Sequence, residues 1–258
     1  MRNELNIWVV GGDMRQAKMA ELLAADGHTV HTFALDRLGE LSEGVIAEED
    51  LSGATLADCV VLPLPVTGEG TLLNTPLSEG CHPLSGILDT LRPGQAICAG
   101  RVSDEIRAMA AQRGLALQDY FAREELAVAN AVPTVEGAIQ IAMEELPITL
   151  HAARVLVIGY GRLGKLLSHR LAALGARVSV AARSWSDLAW IEAYGYGVEH
   201  SAQLEGWLCC YDLVINTVPA LILDRAALAD LRPGCLVIDL ASKPGGAGVG
   251  MGPQTRDG

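Results

Sequence analysis

Short aliphatic runs, glycine turns and amphipathic stretches follow one another from the first residues of the chain. Leu5 to Val10 is a compact apolar run ending in Gly11-Gly12. Ala17, Met19, Ala20, Leu22 and Leu23 then recur at helical spacing up to Gly27, and Thr29 to Phe33 alternates with the period of a strand. That order predicts a βαβ unit. Further strands are predicted at Cys59 to Leu62, Gln95 to Ala99 and Leu115 to Gln118, with helices at Leu84 to Leu91 and Ser103 to Gln112 between them. Strands alternating with helices make an open parallel sheet the expected core of the N-terminal half.

The pattern then starts again. Val135, Ala138, Ile139, Ile141, Ala142 and Leu146 lie at helical spacing, with Pro133 before and Pro147 after, which predicts a bridging helix from Thr134. A second βαβ unit opens at Arg154: a run Val155 to Ile158, a glycine turn, a helix through Leu163, Leu166, Leu167 and Leu171, and a strand at Arg177 to Ala182. Two more strands are predicted at Asp212 to Thr217 and Cys235 to Leu240. From Pro244 on there are six glycines and no period. The expected plan is an N-terminal domain over 1–133, a bridge over 134–149, a second domain over 150–246 and an unstructured tail over 247–258. The second sheet would then stop at about four strands, where doubly wound dinucleotide domains commonly have about six.

Composition narrows the function classes. Of 258 residues, 50% are apolar and 4% aromatic, so the cores are aliphatic and a disordered or collagen-like chain is excluded. The net charge of −12 repels phosphate backbones and anionic lipid, so neither nucleic acid nor membrane is an expected partner. A small anionic ligand would need a local positive site. No uninterrupted apolar run approaches membrane-spanning length and the N-terminus lacks a signal-peptide pattern, so the expected location is cytoplasmic. The six cysteines show no CxxC or zinc spacing and the histidines form no metal pattern, so no metal is expected.

The strongest chemical signal is Gly159-Tyr160-Gly161-Arg162-Leu163-Gly164, a GxGxxG that follows an aliphatic strand and opens a helix. Gly159 permits the tight turn, Gly161 lets backbone approach a pyrophosphate, and Gly164 lets helix and strand pack closely. The fold class expected is therefore α/β, with two Rossmann-like doubly wound parallel-sheet domains, the second incomplete at its C-terminus. The competing reading of the motif is a purely structural turn. About 20 residues on, the second strand ends in Arg183-Ser184 where an NAD site would carry a carboxylate, so NADP is expected rather than NAD. The alternative is that Arg183 is a solvated turn residue and that Ser184 or Ser186 caps the helix containing Leu188.

Polar side chains at strand C-termini face the ligand crevice of an open α/β sheet. Asn216, Thr217 and Pro219 end one predicted strand, and Lys243 follows the last. Asn216 could equally serve loop backbone and Lys243 solvent. The first turn, Gly11-Gly12-Asp13-Met14-Arg15-Gln16, is no dinucleotide fingerprint, yet Arg15 at a helix start could bind a substrate carboxylate bidentately with Asp13 ordering the turn. An Arg15–Asp13 surface contact is the competitor. Glu136 opens the bridging helix, where a carboxylate is often only dipole compensation.

The segments VVGGDMRQ, FAREELAVA, NAVPTVEGAI, VIGYGRLG, AARS, NTVP and DLASKPGG, in this order, resemble the A subunits of dipicolinate synthase over about Asn6 to Gly246. What that resemblance implies is an NADP-dependent oxidoreductase of endospore-forming bacteria, acting in the mother cell with a flavoprotein B subunit. It would oxidise the dihydrodipicolinate derived from the dihydrodipicolinate synthase product to pyridine-2,6-dicarboxylate. It also implies that Asp13, Arg15, Gln16, Asn130, Thr134 and Glu136 line a dicarboxylate site, and that Gly159, Gly161, Arg162, Gly164, Arg183 and Ser184 hold NADP. After the PGG, AGVGMGPQTRDG stands where family members continue with a further strand and helix. Two rivals stay open: another two-domain NADP dehydrogenase of shikimate or 2-hydroxyacid type, and an NADP-binding protein without catalytic activity. Homo-oligomers are compatible with all three.

Overall fold

The computed structural model describes residues 4–39, 41–68 and 70–241, and the chain divides into two compact units, Met1–Leu126 and Ala127–Gly258. The first unit holds β1 (Asn6–Val10), α1 (Met14–Ala25), β2 (Thr29–Phe33), β3 (Val45–Ala47), β4 (Cys59–Val61), α2 (Leu84–Asp89), β5 (Ala96–Ala99), α3 (Asp104–Ala111) and β6 (Leu117–Asp119). All six strands are parallel, in the order β3-β2-β1-β4-β5-β6. Alternation along the strands sorts the side chains. Trp8, Val10, Val60, Leu62, Ile97 and Ala99 form one core with Leu84, Leu88 and Ile106, whereas Val9 and Val30 pack against Ala20 of α1 on the opposite face. The buried Gln95 seals a loop by donating to the carbonyls of Ala54 and Ala57 at 2.7 and 2.8 Å.

Between the last strand of the first sheet and the first of the second runs α4 (Glu124–Glu145). It starts ten residues before the expected Thr134, and Pro133 lies inside it rather than before it. A helix-interior proline costs on the order of 3 kcal/mol through its lost N–H and its clash with the preceding turn. Here it sits on the exposed side of a helix that buries Ala131, Val135, Ala138 and Ala142, and that apolar stripe carries the helix through. By length and composition α4 could cross a membrane, but Val135, Ala138 and Ala142 belong to the aliphatic core of the second unit.

The second unit continues with β7 (Arg154–Ile158), α5 (Arg162–Ala173), β8 (Arg177–Ala182), α6 (Trp185–Ala193), β9 (Gly197–His200), β10 (Leu213–Asn216), α7 (Arg225–Ala229) and β11 (Leu236–Asp239). Its sheet is parallel, in the order β11-β10-β7-β8-β9. The hydrophobic pattern predicts about four strands; the fifth is β9, an edge strand without an apolar run. Leu167 and Leu171 of α5 pack with Val155, Val157 and Val180 on one face, and Leu204, Leu208 and Leu223 with Leu156, Ile158 and Val214 on the other. The glycine-rich tail and Lys243 lie outside the described residues.

Candidate functional site: two strand-end clefts

Each sheet reverses its strand order once, and in open α/β sheets the ligand crevice opens at that point beyond the strand C-termini. In the second unit the reversal lies between β7 and β10, and the Gly159–Gly164 loop follows β7 there. Gly159 has φ +103°, a left-handed conformation that favours glycine, and a Cβ on it would collide with the Thr217 hydroxyl. That hydroxyl donates to the Ile158 carbonyl at 2.8 Å, which ties the end of β10 to the end of β7. A Cβ on Gly164 would drive into the carbonyl of Gly159, so this glycine sets how closely α5 approaches the loop. Gly161 differs: a Cβ there would meet nothing within 4 Å.

The three glycines thus divide their work as a pyrophosphate cradle requires: two are forced by packing, and the middle one faces open space at the N-terminus of α5. No side chain caps that helix start at Gly161, where the positive end of the helix dipole lies. The Leu163 side chain packs toward the core, leaving only its backbone to the loop. Arg162 is exposed.

Beyond β8, Arg183 is exposed and, among the described residues, has no ion-pair partner. Ser184 occupies the N-cap position of α6 but makes no capping hydrogen bond, which removes the purely structural role the sequence left open for it. Asn216 is fully buried. Its Nδ2 donates to the Val218 carbonyl at 3.1 Å and to Asp239 Oδ1 at 2.9 Å, and its Oδ1 accepts from Val218 N at 3.2 Å. It shapes the loop that carries Thr217 and the exposed Pro219.

In the first unit the strand order reverses between β1 and β4. Asp13 caps α1 in a capping box: its carboxylate accepts from Arg15 N at 2.9 Å, and Gln16 Oε1 accepts from Asp13 N at 3.2 Å. Gln16 is therefore buried as a structural partner of Asp13. Arg15 Nε lies 3.0 and 3.2 Å from the two Asp13 oxygens, and Nη2 donates to Oδ2 at 2.8 Å and to the Leu64 carbonyl beyond β4 at 2.7 Å. One guanidinium thus spans the reversal point. Its hydrogen bonds hold the Asp13 carboxyl below the usual carboxylate range.

Tyr120, which sequence reasoning missed, stands beside this pair. It follows β6, donates its hydroxyl to the Leu62 carbonyl at 3.0 Å, and is pushed up to about 12 by burial, against a lowering hydrogen bond from Gln16. Gly100 makes room: a Cβ there would lie 2.7 Å from Leu64 and 2.9 Å from the Tyr120 ring. Asp119 accepts from the backbone N–H groups of Arg101, Val102 and Phe121 at 2.9–3.0 Å and locks the loop after β5 onto the end of β6. Four strand ends are knitted together around one arginine.

Residues 6–121 match the family model of the N-terminal domain of the dipicolinate synthase A subunit. The chain is 33% identical over 248 residues to the A subunit of dipicolinate synthase from Bacillus subtilis, covering 95% of this chain and 84% of that protein. It belongs to the family of dipicolinate synthase A subunits. The crystal structure of the Bacillus subtilis A chain superposes with a TM-score of 0.82 (33% identity, 96% of this chain and 84% of that one). The Bacillus halodurans homologue of the same description gives 0.84 (30% identity, 95% and 86%). A transhydrogenase of Sinorhizobium meliloti, 17% identical over 95% of this chain and 81% of that one, shares the two-sheet fold at 0.65.

The remaining predicted site residues of this member of the dipicolinate synthase family lie on α4. Asn130 and Thr134 are four apart and so share one face, with Thr134 exposed. Glu136 is turned elsewhere, paired with Arg170 of α5 at 2.6 Å, and so holds α4 to α5. Tyr120 could have been found by the strand-end rule that selected Asn216 and Lys243, since it directly follows a strand. Among the described residues no group of His, Cys, Asp and Glu could hold a metal ion.

Proposed function

We propose that this chain is the NADP-dependent component of a dipicolinate synthase, oxidising dihydrodipicolinate to pyridine-2,6-dicarboxylate. The observation that carries the reading is the division of labour among Gly159, Gly161 and Gly164, which leaves an open, uncapped helix start where a dinucleotide pyrophosphate fits. Gly159, Gly161, Gly164 and the first-turn amides of Arg162 and Leu163 would hold the pyrophosphate. Arg183 and Ser184 would take the 2′-phosphate, and Thr217 and Pro219 would border the cradle.

The bound nicotinamide supplies hydride acceptance, so that dihydrodipicolinate and NADP⁺ give dipicolinate, NADPH and a proton, with aromatisation favouring the products. The protein's own task is to orient the ring and hold two carboxylates. Arg15 supplies a bidentate donor for one of them, at the positive end of α1. Tyr120, neutral at physiological pH, fixes the loop after β4 by its bond to Leu62 and keeps Gln16 in register with Asp13. By the family resemblance, Asn130 and Thr134 are further candidates for substrate contact. A flavoprotein B subunit is the proposed partner, and the cytoplasm of a sporulating mother cell the proposed location.

The test is direct. The chain, NADP⁺ and a dihydrodipicolinate-generating system should produce NADPH absorbance and dipicolinate in equal amounts. Absence of both, with and without the B subunit, would remove the oxidoreductase reading.

A further inference from the structure

The chain has eleven aromatic residues, and six of them, Trp185, Trp190, Tyr194, Tyr196, Trp207 and Tyr211, fall between positions 185 and 211. Tyr211 is buried and Tyr196 packs against the core, but the other four side chains are left exposed. Trp185 is 79% exposed, Trp190 57%, Tyr194 63% and Trp207 58%, although large aromatics gain most from burial. Trp190 stacks on Tyr194 at 5.9 Å between centroids, and Tyr194 lies 6.4 Å from Tyr196. Two grooves, of about 660 and 350 Å³, share Tyr194 and Tyr196 and run from α5 and α6 across the beginnings of β7, β8 and β9. The larger groove lies at the strand starts, and the smaller one reaches along α5 to Tyr160 of the Gly159–Gly164 loop. Exposed, stacked aromatics beside grooves are the composition of a protein interface.

Two further features say what would cover them. First, β9 is the outer strand of its sheet and pairs only with β8 among the described residues, so its other edge presents a row of backbone donors and acceptors. Second, the grooves are locally basic in a chain of net charge −12. Lys165, Arg177 and Arg154, the last 3.9 Å from Asp212, line them, and the carboxylate among the lining residues is Glu199, which accepts from the Tyr211 hydroxyl at 3.1 Å. Arg177 and Lys165 have no ion-pair partner among the described residues. A second copy docked on the same surface about a two-fold axis would set these cations against their own images, so a self-complementary dimer is disfavoured.

We propose that β9 and the aromatic grooves beside it dock an extended, acidic segment of a different polypeptide, which adds a strand at β9 and places apolar side chains against Trp190, Tyr194 and Trp207. The mode is strand addition: main-chain pairing supplies affinity and alternate side chains fill pockets. The occupant is the other component of the enzyme, and this choice rests on the dipicolinate synthase reading above.

The experiment uses the full chain and the flavoprotein B subunit, with hydrogen exchange and sedimentation velocity. On mixing, amides of Gly197–His200 should gain protection, and Trp190→Ala/Tyr194→Ala should weaken the complex about tenfold or more, as removal of two interface aromatics does. The double variant should keep the wild-type circular dichroism spectrum and melting temperature, which shows that it is folded. The docking assignment falls if variant and wild type bind the B subunit equally tightly, if protection appears elsewhere and not at β9, or if β9 is protected in a dimer of this chain alone. It falls equally if the two chains do not associate, and NADPH formation by this chain then shows whether the oxidoreductase reading survives independently.

Discussion

Asp13 and Arg15 satisfy each other across three contacts of 2.8–3.2 Å, while the same guanidinium reaches the Leu64 carbonyl at 2.7 Å. The carboxylate that caps α1 thus occupies the cation a substrate carboxylate would seek. In the proposed site Asp13 would be an internal competitor, and a dicarboxylate would have to displace or share its hold on Arg15.

Replacing Asp13 by Asn keeps a good helix cap and removes the competing charge. Asp13→Asn should therefore bind dipicolinate more tightly, by about 0.2–1 kcal/mol, the scale of an exposed ion pair, which is roughly up to fivefold. Arg15→Ala should weaken binding by about 1.5–3 kcal/mol, the size of a hydrogen bond to a charged group. Calorimetric titration of both variants decides it; an Asp13→Asn variant that binds more weakly would show that Asp13 itself holds the ligand.

The same pair sets an acid limit on stability. Because Arg15 lowers the Asp13 pKa, the pair's contribution is fully present above the unfolded carboxylate value of about 3.9 and is lost as pH falls through the lower folded value. The difference in melting temperature between wild type and Asp13→Asn should be constant from neutral pH to about 4.5 and shrink below about 4. A difference that grows on acidification would contradict this assignment of charge.

At the alkaline end, Tyr120 and Tyr211 are both pushed up to about 12, chiefly by burial. A phenol whose folded value is raised contributes stability that is present below its unfolded value of about 10 and is lost as pH rises toward 12. Two of the five tyrosines should thus ionise last in an ultraviolet titration, and Tyr120→Phe and Tyr211→Phe should each remove one late step. Tyr120→Phe should also loosen the loop after β4, by losing the bond to Leu62.

The alternating pattern made the two parallel sheets legible, because nine of the eleven strands among the described residues coincide with aliphatic or alternating runs. The exceptions are β3 and β9, three and four residues long at sheet edges, where a half-exposed strand such as Gly197-Val198-Glu199-His200 carries no periodic signal. The start of α4 was hidden by Pro133, since a proline reads as a boundary unless the buried alanines on either side are seen to share a face. Gly159, Gly161 and Gly164 were recognisable from spacing, but that Asn216 is internal structure and Glu136 an ion-pair partner depends on Asp239 and Arg170, each more than twenty residues away. No local pattern contains such partners.

The glycines of the loop make opposite predictions. Gly161→Ala adds a methyl to open space, so folding should change little while dinucleotide affinity falls, because the methyl occupies the cradle. Gly164→Ala forces α5 off the Gly159 carbonyl and should cost about 1–3 kcal/mol of stability, as overpacking does. Thermal unfolding and cofactor titration of both variants separate the roles; equal loss of stability in both would mean that Gly161 is as confined as Gly164.

Cofactor choice should reside in Arg183. It stands exposed after β8, free of any ion pair among the described residues, beside a Ser184 that does not cap its helix. Both side chains are thus available to a 2′-phosphate, and no carboxylate stands there to accept from a 2′-hydroxyl. A charge-assisted contact of this kind is worth about 1.5–3 kcal/mol, so NADP should bind roughly 10- to 150-fold more tightly than NAD. Arg183→Ala should lose most of that preference and leave NAD affinity nearly unchanged. Added salt should weaken NADP binding more than NAD binding, since the extra interaction is ionic. Equal wild-type dissociation constants for the two cofactors, or a variant that loses both alike, would reduce Arg183 to a solvated turn residue.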